Sequence, residues 1–110
     1  ALSGSEMLKA AQEMGLRVCS EVFADRAYRP DGTLVPRGLP GAMIENEEDA
    51  IARVVQMAKQ GIVCAADGSA VTLQADSVCV HGDGRKALCF VKKLSEALPA
   101  AGIEIKAHSA

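Results

Sequence analysis

Apolar side chains recur at helical spacing in residues 47–59. A helix with apolar positions at i, i+3, i+4 and i+7 buries one face, and Asn46 before it is a suitable N-cap. Acidic residues fill the first turn, where the helix dipole favours them, and Gly61 ends the helix. The members of the apolar repeat are Ile51, Val54, Val55 and Ala58.

Two other segments have shorter helical patterns. We expect a helix over residues 3–14, because Ser3 and Glu6 have the spacing of a capping box. A third helix is expected over residues 85–98, where Pro99 would end it. The predicted buried face of this third helix consists of Ala87, Val91, Leu94 and Leu98.

Apolar runs predict strands at residues 16–23, 76–80 and 103–106. The Asp67-Gly68 pair within residues 62–73 indicates a turn between two short extended pieces. Because helices and strands alternate, we expect an α/β fold with parallel strands covered by helices. Such a sheet is normally buried, and its unpaired edge indicates one α/β segment, residues 1–110, of a larger α/β body.

A long connection, residues 24–44, follows the first predicted strand and is rich in proline and glycine. Connections of about 20 residues are unusual in a small domain and are commonly functional or disordered. Apolar side chains within it favour a packed, functional loop. They are Tyr28, Leu34, Val35 and Leu39.

The composition argues against several classes of function. With 12 basic and 14 acidic residues, the chain has a formal charge of −2 and offers no basic surface for nucleic acid. No apolar run approaches the ~20 residues of a membrane-spanning helix. The four cysteines form no close pair, which is typical of buried free thiols rather than of zinc ligands. We expect a cytoplasmic protein that binds neither nucleic acid nor membrane, and we predict no metal site.

Polar residues follow two of the predicted parallel strands. Ligands gather at the carboxyl ends of such strands, so Asp25 and Arg26 are expected at the same edge as His81, Gly82 and Asp83. An imidazole beside a carboxylate can transfer protons, and a glycine lets the backbone approach a ligand. Asp83 has a second interpretation as only the N-cap of the third helix.

The other candidates have structural alternatives as well. Arg26 could bind a carboxylate or phosphate through both guanidinium nitrogens, or it could only pair with Asp25 and fix the loop. Glu21 and Arg37 are candidates that could equally be solvated surface residues. No glycine-rich phosphate-binding motif is present, so a nucleotide would need another device.

Three ordered motifs resemble the family of the A subunit of 5-oxoprolinase, also called LamB/YcsF. They are Glu21-Val-Phe-Ala-Asp-Arg-Ala-Tyr28, Asp31-Gly-Thr-Leu-Val-Pro-Arg37 and Val78-Cys-Val-His-Gly-Asp83. The resemblance covers nearly the whole chain. Family members are about twice as long, and motifs of their amino-terminal half do not occur here, so the chain resembles the carboxyl-terminal part alone.

The resemblance implies a fold and an activity. The fold would be a partial (β/α) barrel, similar to the irregular barrel of polysaccharide deacetylases. The activity would be ATP-dependent cleavage of 5-oxoproline to L-glutamate, with ATP bound and with subunits B and C and the amino-terminal half of the barrel as partners. We expect the isolated chain to be inactive. The family's motif residues match Glu21, Asp25, Arg26, Tyr28, Arg37, His81, Gly82 and Asp83.

On this hypothesis His81, Asp83 and Asp25 carry the catalytic chemistry. Arg26 and Arg37 hold phosphate or the substrate carboxylate, while Tyr28, Glu21 and Gly82 complete the binding site. Two other functions remain open from the sequence. One is a non-catalytic interaction module, and the other is a metal-dependent, deacetylase-like hydrolase.

Overall fold

The fold was obtained as a computed structural model that describes residues 1–81 and 86–108. Over these residues the chain is an α/β structure of three helices and four short strands. The helices are α1 (Glu6–Glu13), α2 (Glu47–Gln60) and α3 (Ala87–Ala100). The strands are β1 (Glu21–Phe23), β2 (Ile62–Cys64), β3 (Ala70–Thr72) and β4 (Ser77–Cys79).

The parallel strands predicted from the alternating pattern are present as β1 and β4. Their register places Glu21 opposite Ser77 and Phe23 opposite Cys79. The opposite edge of β1 also pairs in parallel, through a bridge between Glu21 and Leu2. β1 is therefore the central strand of this small sheet. The described strands do not close a barrel, so the predicted barrel stays a prediction.

The predicted turn at Asp67-Gly68 joins an antiparallel hairpin of β2 and β3. Asp67 stabilises the turn by accepting hydrogen bonds from the backbone N–H and the hydroxyl of Ser69, at 2.9 and 2.6 Å. These bonds lower the pKa of the Asp67 carboxyl. The hairpin forms a second sheet, separate from β1 and β4.

α2 begins and ends where the sequence predicts. The Asn46 side chain accepts a hydrogen bond from the Asp49 N–H at 3.0 Å, and Gly61 ends the helix with a φ of 66°. Its most buried side chains, Ala50, Val54 and Met57, are rotated slightly from the predicted stripe. Ile51 and Val55 flank this face and are partly buried.

The core lies between the sheet, the hairpin and the inner faces of α2 and α3. Val22 and Ala24 of the β1 segment and Val54 of α2 are fully buried there, and Leu94 and Leu98 of α3 are nearly so. Val22 and Ala24 point to this core because side chains alternate along a strand. Glu21, Phe23 and Asp25 therefore share the opposite face, which is half-buried.

Three predicted boundaries were wrong. α1 begins at Glu6 with Ser5 as its N-cap, because the Ser3 hydroxyl instead accepts a hydrogen bond from the Gln74 N–H at 3.0 Å. α3 continues through Pro99, since burial of Leu98 keeps the last turn helical. The first strand is also shorter than predicted, since only residues 21–23 have strand partners.

The predicted strand at 103–106 is irregular in the structure. The Ile103 N–H bonds back to the Leu98 carbonyl at 2.9 Å, which closes the end of α3 rather than a strand ladder. Ile103 packs partly against the core, but Ile105 is 54% exposed. The alternation of Ile103 and Ile105 therefore predicted a strand that is absent from residues 103–108.

The connection after β1 is packed, as predicted. Ala27 donates to the Ala42 carbonyl at 2.8 Å and accepts from the Val35 N–H at 2.9 Å, so the connection has its own backbone ladder. Ala27, Val35 and Ala42 form a second small core beneath it. Leu39 was wrongly predicted to pack, because its side chain is 50% exposed.

Candidate functional site

Asp25 and His81 meet at the carboxyl ends of the two parallel strands. Because Phe23 pairs with Cys79, the side chains two residues further along each strand lie opposite each other on the same face. His81 Nδ1 lies 3.2 Å from Asp25 Oδ1. Both side chains are about one-quarter exposed, at 25% for His81 and 26% for Asp25. The expectation that these two residues share one edge is therefore met.

Arg37 extends the contact from the packed connection. Its Nη2 atom lies 3.0 Å from Nε2 of His81, on the opposite side of the imidazole from Asp25. The Phe23 ring lies beside the imidazole, with ring centroids 5.8 Å apart and planes tilted by 32°. The imidazole is thus contacted by a carboxylate, a guanidinium and an aromatic ring.

A cavity of about 300 Å³ opens in front of these three polar side chains. Asp25, Arg37 and His81 line it together with residues that the sequence analysis did not single out. Glu45 and Glu47 come from the segment that begins α2, and Lys86 precedes α3. Their positions in the sequence could have identified these three residues, because they lie at the beginnings of α2 and α3, the helices that follow Asp25 and His81 along the chain.

Glu47 is partly neutralised within the protein. Its Oε2 atom accepts a hydrogen bond from Lys93 Nζ at 3.3 Å, and its Oε1 atom is buried. Phe90 and Val80 add apolar surface to the same cavity. The cavity therefore combines apolar walls with a few polar groups, which is typical of small-molecule sites.

Arg26 and Tyr28 lie inside the protein and bind protein atoms. Arg26 is 8% exposed, and its Nη2 atom donates to the Val35 carbonyl at 2.9 Å. Asp25 contacts His81 rather than Arg26, so the alternative of an Asp25–Arg26 ion pair was wrong. Neither Arg26 nor Tyr28 lines the cavity, and their contact with a ligand stays a prediction.

Tyr28 anchors the connection to β1. Its side chain is fully buried, and its hydroxyl oxygen accepts a hydrogen bond from the Phe23 N–H at 2.9 Å. Burial is the main reason that the pKa of the Tyr28 hydroxyl is raised. The same burial effect lowers the pKa of Arg53, whose guanidinium lies near Tyr28.

Glu21 lies on the same strand face as Asp25 but does not line the cavity. Cys79 occupies the neighbouring strand on that face. Burial raises the pKa of the Cys79 thiol, and the negative charges of Glu21 and Asp25 add to this effect. Both effects disfavour the thiolate form of Cys79. The prediction that the four cysteines are buried was wrong, because Cys64 and Cys89 are exposed and Cys19 and Cys79 are half-buried.

Gly82 and Asp83 lie outside the described residues, and their predicted roles stay predictions. Within residues 1–81 and 86–108, no three His, Cys, Asp or Glu side chains converge as a metal site would require. In that same part of the chain, no helix has both the length and the apolar character needed to cross a membrane.

A second cavity of about 630 Å³ lies between residues 2–6, the turn at 30–33 and the segment 70–73. Its lining contains several hydroxyl side chains and none of the predicted site residues. The hydrogen-bonded trio of Asp25, His81 and Arg37 is found only at the first cavity. We therefore take the first cavity as the candidate active site.

Known proteins are similar to this chain over nearly its whole length. The LamB/YcsF family matches residues 1–110. A Neisseria meningitidis serogroup A protein, named as the A subunit of 5-oxoprolinase, is 56% identical over 107 residues, covering 97% of this chain and 44% of the relative. A Bacillus subtilis protein of the same name is 49% identical over 108 residues, covering 98% and 42%.

A solved structure is also similar. The crystal structure of a lactam utilization protein from Thermus thermophilus has a TM-score of 0.87 and 38% sequence identity. The similarity covers 96% of this chain and 41% of the other. The chain therefore spans less than half the length of the relatives that it matches.

Proposed function

The chain belongs to the LamB/YcsF family, and we propose that it supplies part of the active site of a 5-oxoprolinase. The reaction is hydrolysis of the cyclic amide of 5-oxoproline to give L-glutamate, coupled to hydrolysis of ATP to ADP and phosphate. The relatives named as the A subunit of 5-oxoprolinase support this proposal, because their sequences are about half identical to this one over nearly the whole chain. The lactam utilization protein supports the same substrate class.

One observation carries the proposal, namely the chain of contacts from Asp25 through His81 to Arg37 beside the cavity. Hydrolysis of an amide needs a group that removes a proton from water and a group that protonates the leaving nitrogen. An imidazole is the side chain best suited to both steps near neutral pH. A carboxylate on one ring nitrogen orients the imidazole and stabilises its protonated form.

The three side chains have distinct proposed roles. His81 positions water and carries the proton between water and the ring nitrogen of the substrate. Asp25 fixes the orientation of His81 through Nδ1. Arg37 holds a carboxylate or phosphate group, for which a guanidinium is the preferred partner. The predicted contributions of Asp83 and Gly82 to catalysis and binding remain part of this proposal.

ATP is a further element of the proposal. Its hydrolysis supplies the driving force for opening a stable amide. The described cations that face the cavity and could contact a phosphate group are Arg37 and Lys86. The cavity of about 300 Å³ is at the small end of ligand sites, which suits 5-oxoproline better than a whole nucleotide. We therefore assign Arg37 and Lys86 no step in ATP hydrolysis.

The proposed assembly is larger than this chain. The relatives are subunits by name, and the chain matches only 44% of the first of them. We propose that the remaining part of a barrel, together with subunits B and C, completes the active protein. A cytoplasmic location is also proposed, because the four cysteines are all free thiols.

The test is turnover by the full-length protein with subunits B and C, measured as release of L-glutamate from 5-oxoproline and ATP. His81→Ala is expected to lower kcat by at least about tenfold, because proton transfer by a positioned side chain contributes at least that much. His108→Ala is the matched control, since the exposed His108 does not line the cavity. Unchanged turnover of His81→Ala would exclude His81 from the chemistry.

A further inference from the structure

The contact between Arg37 and His81 fixes the position of the imidazole proton. A guanidinium has N–H donors and no acceptor. The 3.0 Å contact from Arg37 Nη2 therefore requires that Nε2 of His81 accept the hydrogen bond. The proton of a neutral His81 must then lie on Nδ1, where it is donated to Asp25 Oδ1 at 3.2 Å.

This arrangement blocks the nitrogen that catalysis would use. Nδ1 is occupied by Asp25, so Nε2 is the ring nitrogen left to accept a proton from water. In the structure its lone pair already accepts the hydrogen bond from Arg37. His81 cannot act as a base through Nε2 until Arg37 moves away.

Arg37 is placed so that it can move. It lies in an exposed run, residues 36–41, of the connection after β1. Among the side chains that the structure describes, its guanidinium forms no ion pair with a carboxylate. In its contact with the neutral imidazole of His81, only the guanidinium is charged. A ligand carboxylate would add the opposite charge and can accept two parallel hydrogen bonds from the guanidinium, which makes it the stronger partner.

We propose that Arg37 caps Nε2 of His81 and that the carboxylate of a bound ligand takes Arg37 away, which exposes the base. The identification of that ligand as 5-oxoproline rests on the proposed function. The cap would keep His81 from acting before the substrate is present. It would also make the carboxylate, which lies outside the amide that reacts, a requirement for catalysis.

The first part of the test is the protonation of His81 in the free chain, read from the ¹⁵N chemical shifts of its ring nitrogens. We expect Nδ1 to carry the proton and Nε2 to be unprotonated in the neutral ring. His108→Gln identifies the signals, because the chain has two histidines. A neutral ring with its proton on Nε2 would overturn the cap.

The second part is titration with three probes. They are L-5-oxoproline, 2-pyrrolidinone, which has the same amide ring without the carboxylate, and acetate, which has the carboxylate without the ring. We expect 5-oxoproline to shift Nε2 and to bind at least about tenfold more tightly than 2-pyrrolidinone, because only the acid can form an ion pair. Arg37→Ala should remove that difference, whereas Arg29→Ala, in the same connection but away from the cavity, should retain it.

The outcomes separate this inference from the proposed function. If acetate shifts Nε2 while neither lactam binds, the exchange at Arg37 is supported and the assignment of 5-oxoproline fails. If 5-oxoproline binds without moving the Nε2 signal, or equally well to Arg37→Ala, the exchange is overturned and the proposed substrate stands. If no probe moves Nε2, the exchange is overturned.

Discussion

Replacing Tyr28 with phenylalanine tests whether this residue anchors the site from inside the protein. The substitution removes only the hydroxyl, whose oxygen accepts the Phe23 N–H at 2.9 Å. Tyr28 is fully buried, so water is not expected to replace the lost acceptor. Leaving a buried N–H without a partner costs about 1–3 kcal/mol. We expect that decrease in the free energy of unfolding.

The measurement is urea unfolding of the chain, with thermal unfolding as a second method. A loss of 1–3 kcal/mol corresponds to a decrease in Tm of about 4 °C for each kcal/mol in a domain near this size. Thr33→Val is the matched control, because it removes an exposed hydroxyl that bonds only Asp31 within its own turn. The control should lose less than about 1 kcal/mol.

Two results would refute this reasoning. Stability of Tyr28→Phe within about 0.3 kcal/mol of the unsubstituted chain would show that the buried hydroxyl does not anchor β1. Unchanged stability together with weaker binding of 5-oxoproline would instead assign the hydroxyl to the ligand. That second outcome would support the prediction made for Tyr28 from its motif.

Three further predictions concern stability. Gly61→Ala should lower the free energy of unfolding, measured in urea, by more than about 1 kcal/mol, because φ is +66° and a Cβ would lie 2.9 Å from a backbone oxygen. Gly38→Ala is its control and should cost less, since a Cβ at Gly38 would meet open space. Met57→Ala should lower the free energy of unfolding by about 2–5 kcal/mol, because Met57 is only 1% exposed. Met14→Ala is its control and should change stability little, since Met14 is 76% exposed. A backbone N–H lowers the pKa of Asp76, so its contribution to stability is present above about pH 4 and is lost as the pH falls through the lowered pKa. Asp76→Asn should therefore show a smaller loss of stability in acid, and an identical acid profile would contradict this.

Elements defined by local signals could be predicted from the sequence. Asn46 and Gly61 mark the ends of α2 by side-chain capping and by a left-handed backbone, both of which are properties of single residues. The turn at Asp67-Gly68 follows in the same way. Predictions were less accurate for elements that depend on partners distant in the sequence. Ser3 has the spacing of a cap but bonds a residue 71 positions away.

The candidate site was predictable where one topological rule applied. Asp25 and His81 each follow a parallel strand, so their contact is a consequence of strand order and register. Burial cannot be inferred from a motif alone, which explains why Arg26 and Tyr28 resemble site residues but bind protein atoms. Lys86 was missed because its approach to the cavity depends on how α3 packs.

Binding of 5-oxoproline in the cavity beside His81 underlies every role proposed for Asp25, His81 and Arg37. Hydrogen exchange of the complete assembly, with and without 5-oxoproline and ATP, tests this binding. We expect at least about tenfold slower exchange in residues 24–26, 36–38 and 86–88, with no change in the hairpin of residues 62–72, because a bound ligand suppresses local opening. Unchanged exchange around the cavity in the presence of both compounds would contradict the claim and favour a role in binding other proteins.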